Sequence, residues 1–181
     1  GPAIYHSTMN TGFLTIRRAD MEDAAAIARI HVASWRETYR TIIPDAYLDQ
    51  LSAEKREPGW RNSLAEGPVF VALDQTNEIV GFANGGPNRE NDTTEGELYA
   101  LYLLKSHHGQ RTGKRLFDHV LEDLRRKGFS SCMVSVLADN PSRHFYERFG
   151  GRLVSEKTIE RGGKQLSEWT YRITLDPVSN A

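Results

Sequence analysis

Apolar positions recur along this chain in two rhythms, short continuous runs and steps of three and four. Leu116, Phe117, Val120, Leu121 and Leu124 fall at the longer steps, the stripe of a helix lying on a core. Just before them, residues 97–104 are apolar, rich in Leu and Tyr, and free of Gly and Pro, which predicts a buried or half-buried central strand. Upstream, Phe13 to Arg18 predicts a first strand. Asp20 is placed to cap a helix whose apolar face carries Ala24, Ile27, Ala28, Ile30 and His31 and continues through Val32, Trp35 and Tyr39. Pro44 breaks it, a shorter helix restarts over Ala46 to Leu51, and residues 53–63 read as polar, passing from helix to loop. Val69 to Leu73 and Ile79 to Asn84 flank a turn-rich stretch and predict a hairpin, followed by a loop over 85–96. Gly128 ends the helix that follows the central strand. Residues 131–137 predict a strand and 141–149 a helix, and strands near 151–158 and 167–175 flank a turn at Arg161 to Lys164. The order β-α-α-β-β-β-α-β-α-β-β is an α+β layout around a mixed sheet.

The polar junction KSHHGQRTGK, residues 105–114, holds the first candidate chemistry. A helix start presents unpaired N–H groups at the positive end of the helix dipole. Gly109 and Gly113 leave room there, and Arg111, Lys114 and Arg115 add positive charge. Such a junction suits an anion, phosphate first. Two known phosphate loops are excluded by spacing. The Walker loop needs G-x-x-x-x-G-K-[ST], but Arg115 follows Lys114 and no Gly stands at His108. Gly109 and Gly113 do not fit the dinucleotide fingerprint G-x-G-x-x-G.

A second segment, ADNPSRHFYERFGG, follows the apolar run 131–137. Asn140 can cap a helix there, with Pro141 in its first turn. Together the two segments resemble the GNAT superfamily of N-acetyltransferases. That family's pyrophosphate loop, [Q/R]-x-x-G-x-[G/A], falls on His108, Gly109, Gln110, Arg111, Thr112 and Gly113, with Leu116 in phase. His108 replaces the Gln or Arg, and Arg111 replaces the middle Gly. A register starting at Gln110 keeps Gln110 and Gly113 but loses the phase of Leu116. The family's Asn and F-Y-E-R-x-G fall on Asn140, Phe145, Tyr146, Glu147, Arg148 and Gly150, the interval from Asn140 to Tyr146 being one residue shorter than is common.

The resemblance implies a twisted sheet whose fourth and fifth strands splay apart, with acetyl-CoA in the notch. It implies transfer of the acetyl group to a primary amine of a small molecule or peptide, directly within a ternary complex. Implied cofactor contacts are His108, Gly109, Gln110, Arg111, Thr112, Gly113 and Lys114 for the pyrophosphate, and the backbone of Leu101, Tyr102 and Leu103 with Asn140 for the pantetheine arm. Tyr146 is implied as the acid that protonates the departing thiolate, and Glu97 as the base, acting through water. Trp35, Glu37 and Tyr39 are expected at the acceptor. Acidic residues Glu37, Asp45, Glu90, Asp92 and Glu95 would suit a cationic amine. The altered loop keeps a second reading open: a non-catalytic module that binds CoA or a nucleotide as a sensor.

Composition narrows the rest. The 181 residues suit one domain, read as 9–181, with GPAIYHST before Met9 taken as an expression remnant. With 23 basic and 24 acidic residues there is no whole-chain attraction for nucleic acid or a lipid surface. A lone Cys132 cannot form an internal disulfide, and no apolar run approaches the ~18 residues of a membrane span. The expectation is a cytoplasmic protein with no metal. A homodimer is allowed, though no residue signals one.

Overall fold

The computed structural model describes residues 14–90, 94–109 and 111–177. Phe13, Asp92 and Gln110 lie outside the described residues. In chain order the elements are β1 (Thr15–Arg18), α1 (Ala24–Tyr39), α2 (Asp45–Asp49), α3 (Ala53–Glu66), β2 (Val69–Leu73), β3 (Ile79–Pro87) and β4 (Gly96–Leu103). After these come α4 (Thr112–Arg126), β5 (Ser131–Leu137), α5 (Arg143–Arg148), β6 (Arg152–Arg161) and β7 (Lys164–Thr174). Short 3-10 turns precede α1, at Met21–Asp23, and follow β4, at Lys105–His107. The strands form one mixed sheet in the order β1-β2-β3-β4-β5-β7-β6.

Each face of the sheet is covered by the helix whose apolar stripe matches it. On one face Leu116, Phe117, Val120 and Leu124 of α4 pack with Ala72, Val80, Ala83 and Leu98, and the cluster continues into Cys132, Val134, Tyr146 and Tyr171. On the other face Ala24, Ile27 and Ala28 of α1 and Trp60 of α3 cover Val69, Val71, Leu73 and Phe82. The alternation along β2, with Val71 on one side and Ala72 on the other, is the period-two pattern of a strand buried on both faces. A third cluster joins the end of α1 and α2 to β5 and β7 through Tyr39, Ile42, Ile43, Leu48, Leu137 and Leu166.

Three elements differ from the sequence expectation. The polar stretch 53–63 is a full helix, α3, begun by the Ser52 side chain accepting from Lys55 N. Its only fully buried side chain is Trp60, so the apolar stripe is too thin to read, and Pro58 disguises it further. The last helix is shorter than 141–149: Asn140 accepts from Ser142 N in a turn that precedes α5. The predicted loop 85–96 begins as strand, because Gly85 and Gly86 extend β3 as far as Pro87. These glycines mark close approach. A Cβ on Gly85 would stand 2.5 Å from Glu97 O and 2.8 Å from a methyl of Val120.

The two-residue turn Gly162-Gly163, with φ of +60° and +81°, joins β6 and β7. Its tip leans on α2 and the loop before it: a Cβ on Gly162 would meet Tyr47 Cβ at 3.0 Å, and Lys164 Nζ donates to Ile42 O at 2.8 Å.

Gly85→Ala should therefore destabilise the fold by about 1–3 kcal/mol, since backbone rather than a flexible side chain blocks the methyl. Urea unfolding measures this, and an unchanged midpoint would show that the approach of β3 to β4 relaxes freely.

Candidate active site

Parallel neighbours β4 and β5 pair only at Gly96 with Cys132 and Glu97 with Met133. Beyond Glu97 they part. β5 remains paired to β7 from Ser131 to Leu137, and β4 remains paired to β3 as far as Leu103. The divergence begins where the β3–β4 register shifts, Gly85 opposing Leu98 and Asn84 opposing Ala100, which leaves Tyr99 as the extra residue of a bulge. The backbone groups of Leu101 and Leu103 face away from β3 and have no strand partner on that side, whereas those of the expected Tyr102 are turned to Phe82 of β3.

The closed end is pinned. Glu95 Oε1 accepts from Arg172 Nε at 2.7 Å and from Ser131 Oγ at 3.1 Å. The open end leads to the junction singled out in the sequence. There Gly109 has φ +91° and Arg111 φ +59°, so the family's middle glycine falls on a side-chain-bearing residue in the left-handed region. An arginine in that conformation carries a strain of about 1–3 kcal/mol.

Arg111 ends the approach to α4, and no side chain caps the helix start. The first-turn amides of Thr112, Gly113 and Lys114 thus point out of the helix, with the positive dipole end behind them. Thr112 is buried, and its Oγ1 makes no hydrogen bond.

The cations divide. Arg115 Nη1 donates to Leu14 O at 2.6 Å and Lys114 Nζ to Asp118 at 2.5 Å, while Arg111 forms no ion pair among the described residues. His108 turns back onto the central strand, its Nε2 at 2.7 Å from Leu103 O.

Deeper in the split the structure gathers phenols. Tyr146 on α5 is buried, with its ring edge-on to Phe117 and Phe145 at 5.6 and 5.2 Å. Burial first, then the neighbouring Tyr39 phenol and Cys132 thiol, push its pKa up. Burial likewise raises Tyr102, with Tyr39 again the nearby phenol. Cys132 is buried and its thiol is pushed up to about 12, which makes it inert. Asn140 Nδ2 donates to Tyr39 Oη at 3.3 Å. Trp35 lies 4.7 Å from the Tyr39 ring, and its buried indole N–H has no partner.

Other predicted residues are committed to the protein itself. Glu97 accepts from Arg89 three times, from N at 3.0 Å, Nε at 3.2 Å and Nη2 at 2.7 Å. Arg89 also lies over the Tyr99 ring at 4.3 Å. Glu37 accepts from Lys105 N at 3.3 Å and so holds the 3-10 turn that follows β4.

Two neighbours carried no assigned role in the sequence. Arg89 sits in the 85–96 loop, a segment expected to shape substrate selectivity as a whole, and nothing local signals its partner eight residues on. His31 was visible as a polar residue on the apolar stripe of α1. It accepts from Trp60 Nε1 at 3.1 Å and stacks on Tyr102 at 5.6 Å, so it lies directly behind the central strand.

Burial lowers the His31 pKa to about 4. The unfolded chain then binds a proton that the folded chain refuses between about pH 6.5 and 4. Stability from this group is present above that window and is lost as the pH falls through it, at no more than about 1.4 kcal/mol per pH unit. Urea unfolding at stepped pH should show the slope, and His31→Gln should flatten it. An equal slope in the variant would place the titration elsewhere.

Comparison with known proteins adds to this geometry. Residues 25–151 match the family model described as "Acetyltransferase (GNAT) family". Over 156 residues, 86% of this chain and 90% of the relative, the sequence is 42% identical to "Uncharacterized N-acetyltransferase YuaI" of Bacillus subtilis. Over 138 residues it is 27% identical to an L-methionine sulfoximine/L-methionine sulfone acetyltransferase of Salmonella typhimurium, covering 70% of this chain and 72% of the relative. Among solved structures, PaiA N-acetyltransferase from Thermoplasma acidophilum, in complex with coenzyme A, has the same fold with a TM-score of 0.69 at 20% identity, over 90% of this chain and 99% of that one.

Proposed function

The chain belongs to the GNAT acetyltransferase family, and from that premise we propose that it moves the acetyl group of acetyl-CoA directly to a primary amine held beside the split. The observation that carries this reading is the conjunction of two features. A crevice opens between β4 and β5, and at its mouth lies an uncapped helix start with a buried, unpartnered Thr112 hydroxyl. An orphaned buried hydroxyl costs about 1–3 kcal/mol unless something accepts from it. A diphosphate oxygen fits that need and the amides beside it.

Acetyl-CoA supplies an activated acyl thioester. The chain's residues do the rest. Gly109, Thr112, Gly113 and Lys114 offer backbone N–H groups, with Arg111 as the unpaired charge and His108 bracing the loop against Leu103 O. Leu101 and the Leu103 N–H, which face away from β3, offer backbone to a long amide-bearing arm, with the Tyr102 side chain between them and Asn140 beyond β5. Tyr146 keeps its proton at Oη because burial disfavours phenolate, so the hydroxyl is present to donate to the departing sulfur as negative charge develops there.

Glu97 is the assigned base, acting through water. It is held by Arg89, so a proton can reach it only where the guanidinium leaves a lone pair free. Trp35, Glu37 and Tyr39, at the end of α1, wall the acceptor side. Relatives named for a small amino-acid derivative and for a ribosomal protein's alanine match at equal identity, so both a small amine and a peptide amine stand as acceptors. Charge balance and a lone buried thiol fit a reducing, cytoplasmic setting. Among the described residues no helix is long and apolar enough to cross a membrane, and no cluster could hold a metal.

Calorimetric titration with acetyl-CoA should give saturable binding below ~1 mM; none at that concentration removes the reading. Tyr146→Phe should lower kcat by about 100-fold while cofactor affinity stays within about twofold. An unchanged kcat would take the acid's role from Tyr146.

Glu97→Gln should lower kcat/KM by about 100-fold near neutral pH. If kcat/KM is unchanged, Glu97 serves only to tie Arg89 to the central strand.

A further inference from the structure

A single buried hydrogen bond spans the split. Asn140 closes the β5 side, while Tyr39 ends α1, which packs over β3 and β4. Asn140 Nδ2 donates to Tyr39 Oη at 3.3 Å, both residues are buried, and they stand 101 positions apart in the chain.

The amide's capacity decides what this bond does. An asparagine offers an acceptor oxygen and two N–H donors. Oδ1 accepts from Ser142 N at 2.9 Å, which also fixes which end of the amide is oxygen. One N–H goes to Tyr39, and the other has no partner among the described residues. An amide held at its oxygen and at one hydrogen cannot flip, so its second hydrogen keeps one direction. Tyr39 is itself held, by Trp35 at 4.7 Å and by Ile42, Ile43 and Leu137 around its ring. Its phenol also lies beside the Tyr102 hydroxyl on β4, so the contact reaches both lips of the split.

We propose that Tyr39 is a positioning residue for cofactor binding: its hydroxyl holds the Asn140 amide so that the free Nδ2 hydrogen meets the amide-bearing arm of acyl-CoA in the split. This rests on the reading of the split as the acyl-CoA slot. It moves Tyr39 from the acceptor wall alone to a link between α1 and the cofactor.

The test is calorimetric titration of CoA into the full chain carrying Tyr39→Phe, Asn140→Ala, both, or neither. Tyr39→Phe should weaken binding by about fivefold and Asn140→Ala by about tenfold, and the double variant should be no weaker than Asn140→Ala, because the two act through one hydrogen. In steady-state kinetics the Tyr39→Phe loss should fall on KM for acetyl-CoA more than on kcat.

Asn140→Asp is a second probe that guards against misfolding. Its carboxylate still accepts from Ser142 N and lets Tyr39 donate instead, but it has no N–H to offer, so it should bind CoA about as weakly as Asn140→Ala. Wild-type-like affinity in Tyr39→Phe, or losses that add in the double variant, would overturn the proposal and leave the function intact. Failure of the wild-type chain to bind CoA would overturn the function and this inference with it.

Discussion

Two rungs of parallel pairing, at Gly96–Cys132 and Glu97–Met133, hold the halves of the sheet together at one end and nowhere further along. Every strand backbone must place its N–H and C=O groups somewhere. β4 satisfies one edge on β3, and β5 satisfies one edge on β7, over almost their full lengths. Neither can swing toward the other without breaking a ladder already made. The opening between them is therefore maintained by commitments on the outer sides, and the bulge at Tyr99 sets where it starts. At the joined end Gly96 has no room for a side chain, with Leu124 and Ser131 O within 3.0–3.2 Å of a Cβ, and Glu95 binds both Ser131 and Arg172.

The rest of the site follows from that opening. The edge of β4 that faces away from β3 at Leu101 and Leu103 is open only because β5 has left. Tyr146 is buried at the open side by the aromatic packing of α5 on α4, and the same burial keeps its phenol neutral. The loop before α4 departs from the family pattern at Arg111, which adopts the left-handed geometry a glycine would take without strain and forms no ion pair among the described residues.

The fold was legible wherever a segment's periodicity matched its burial. α4 shows its stripe because it is wet on one side and dry on the other, and β5 shows as a run because both faces are covered. α3 was hidden because it spends a single large residue, Trp60, on the core. Gly85 and Gly86 read as loop because close approach between strands leaves the same local mark as a turn. At the site, segment-level motifs were visible, while the pairings that decide chemistry were not. Nothing near Glu97 announces Arg89, and nothing near Tyr39 announces Asn140. Such contacts join residues from separate elements, and only the assembled topology creates them.

The tip of the β6–β7 hairpin rests on α2 and the loop before it, with Gly162 against Tyr47 and Lys164 bonded to Ile42 O. These contacts involve none of the residues that line the open strands or the loop before α4. The tip is thereby tied to Ile42, which packs in one cluster with Tyr39, so a change of length at the hairpin would be felt first at the end of α1.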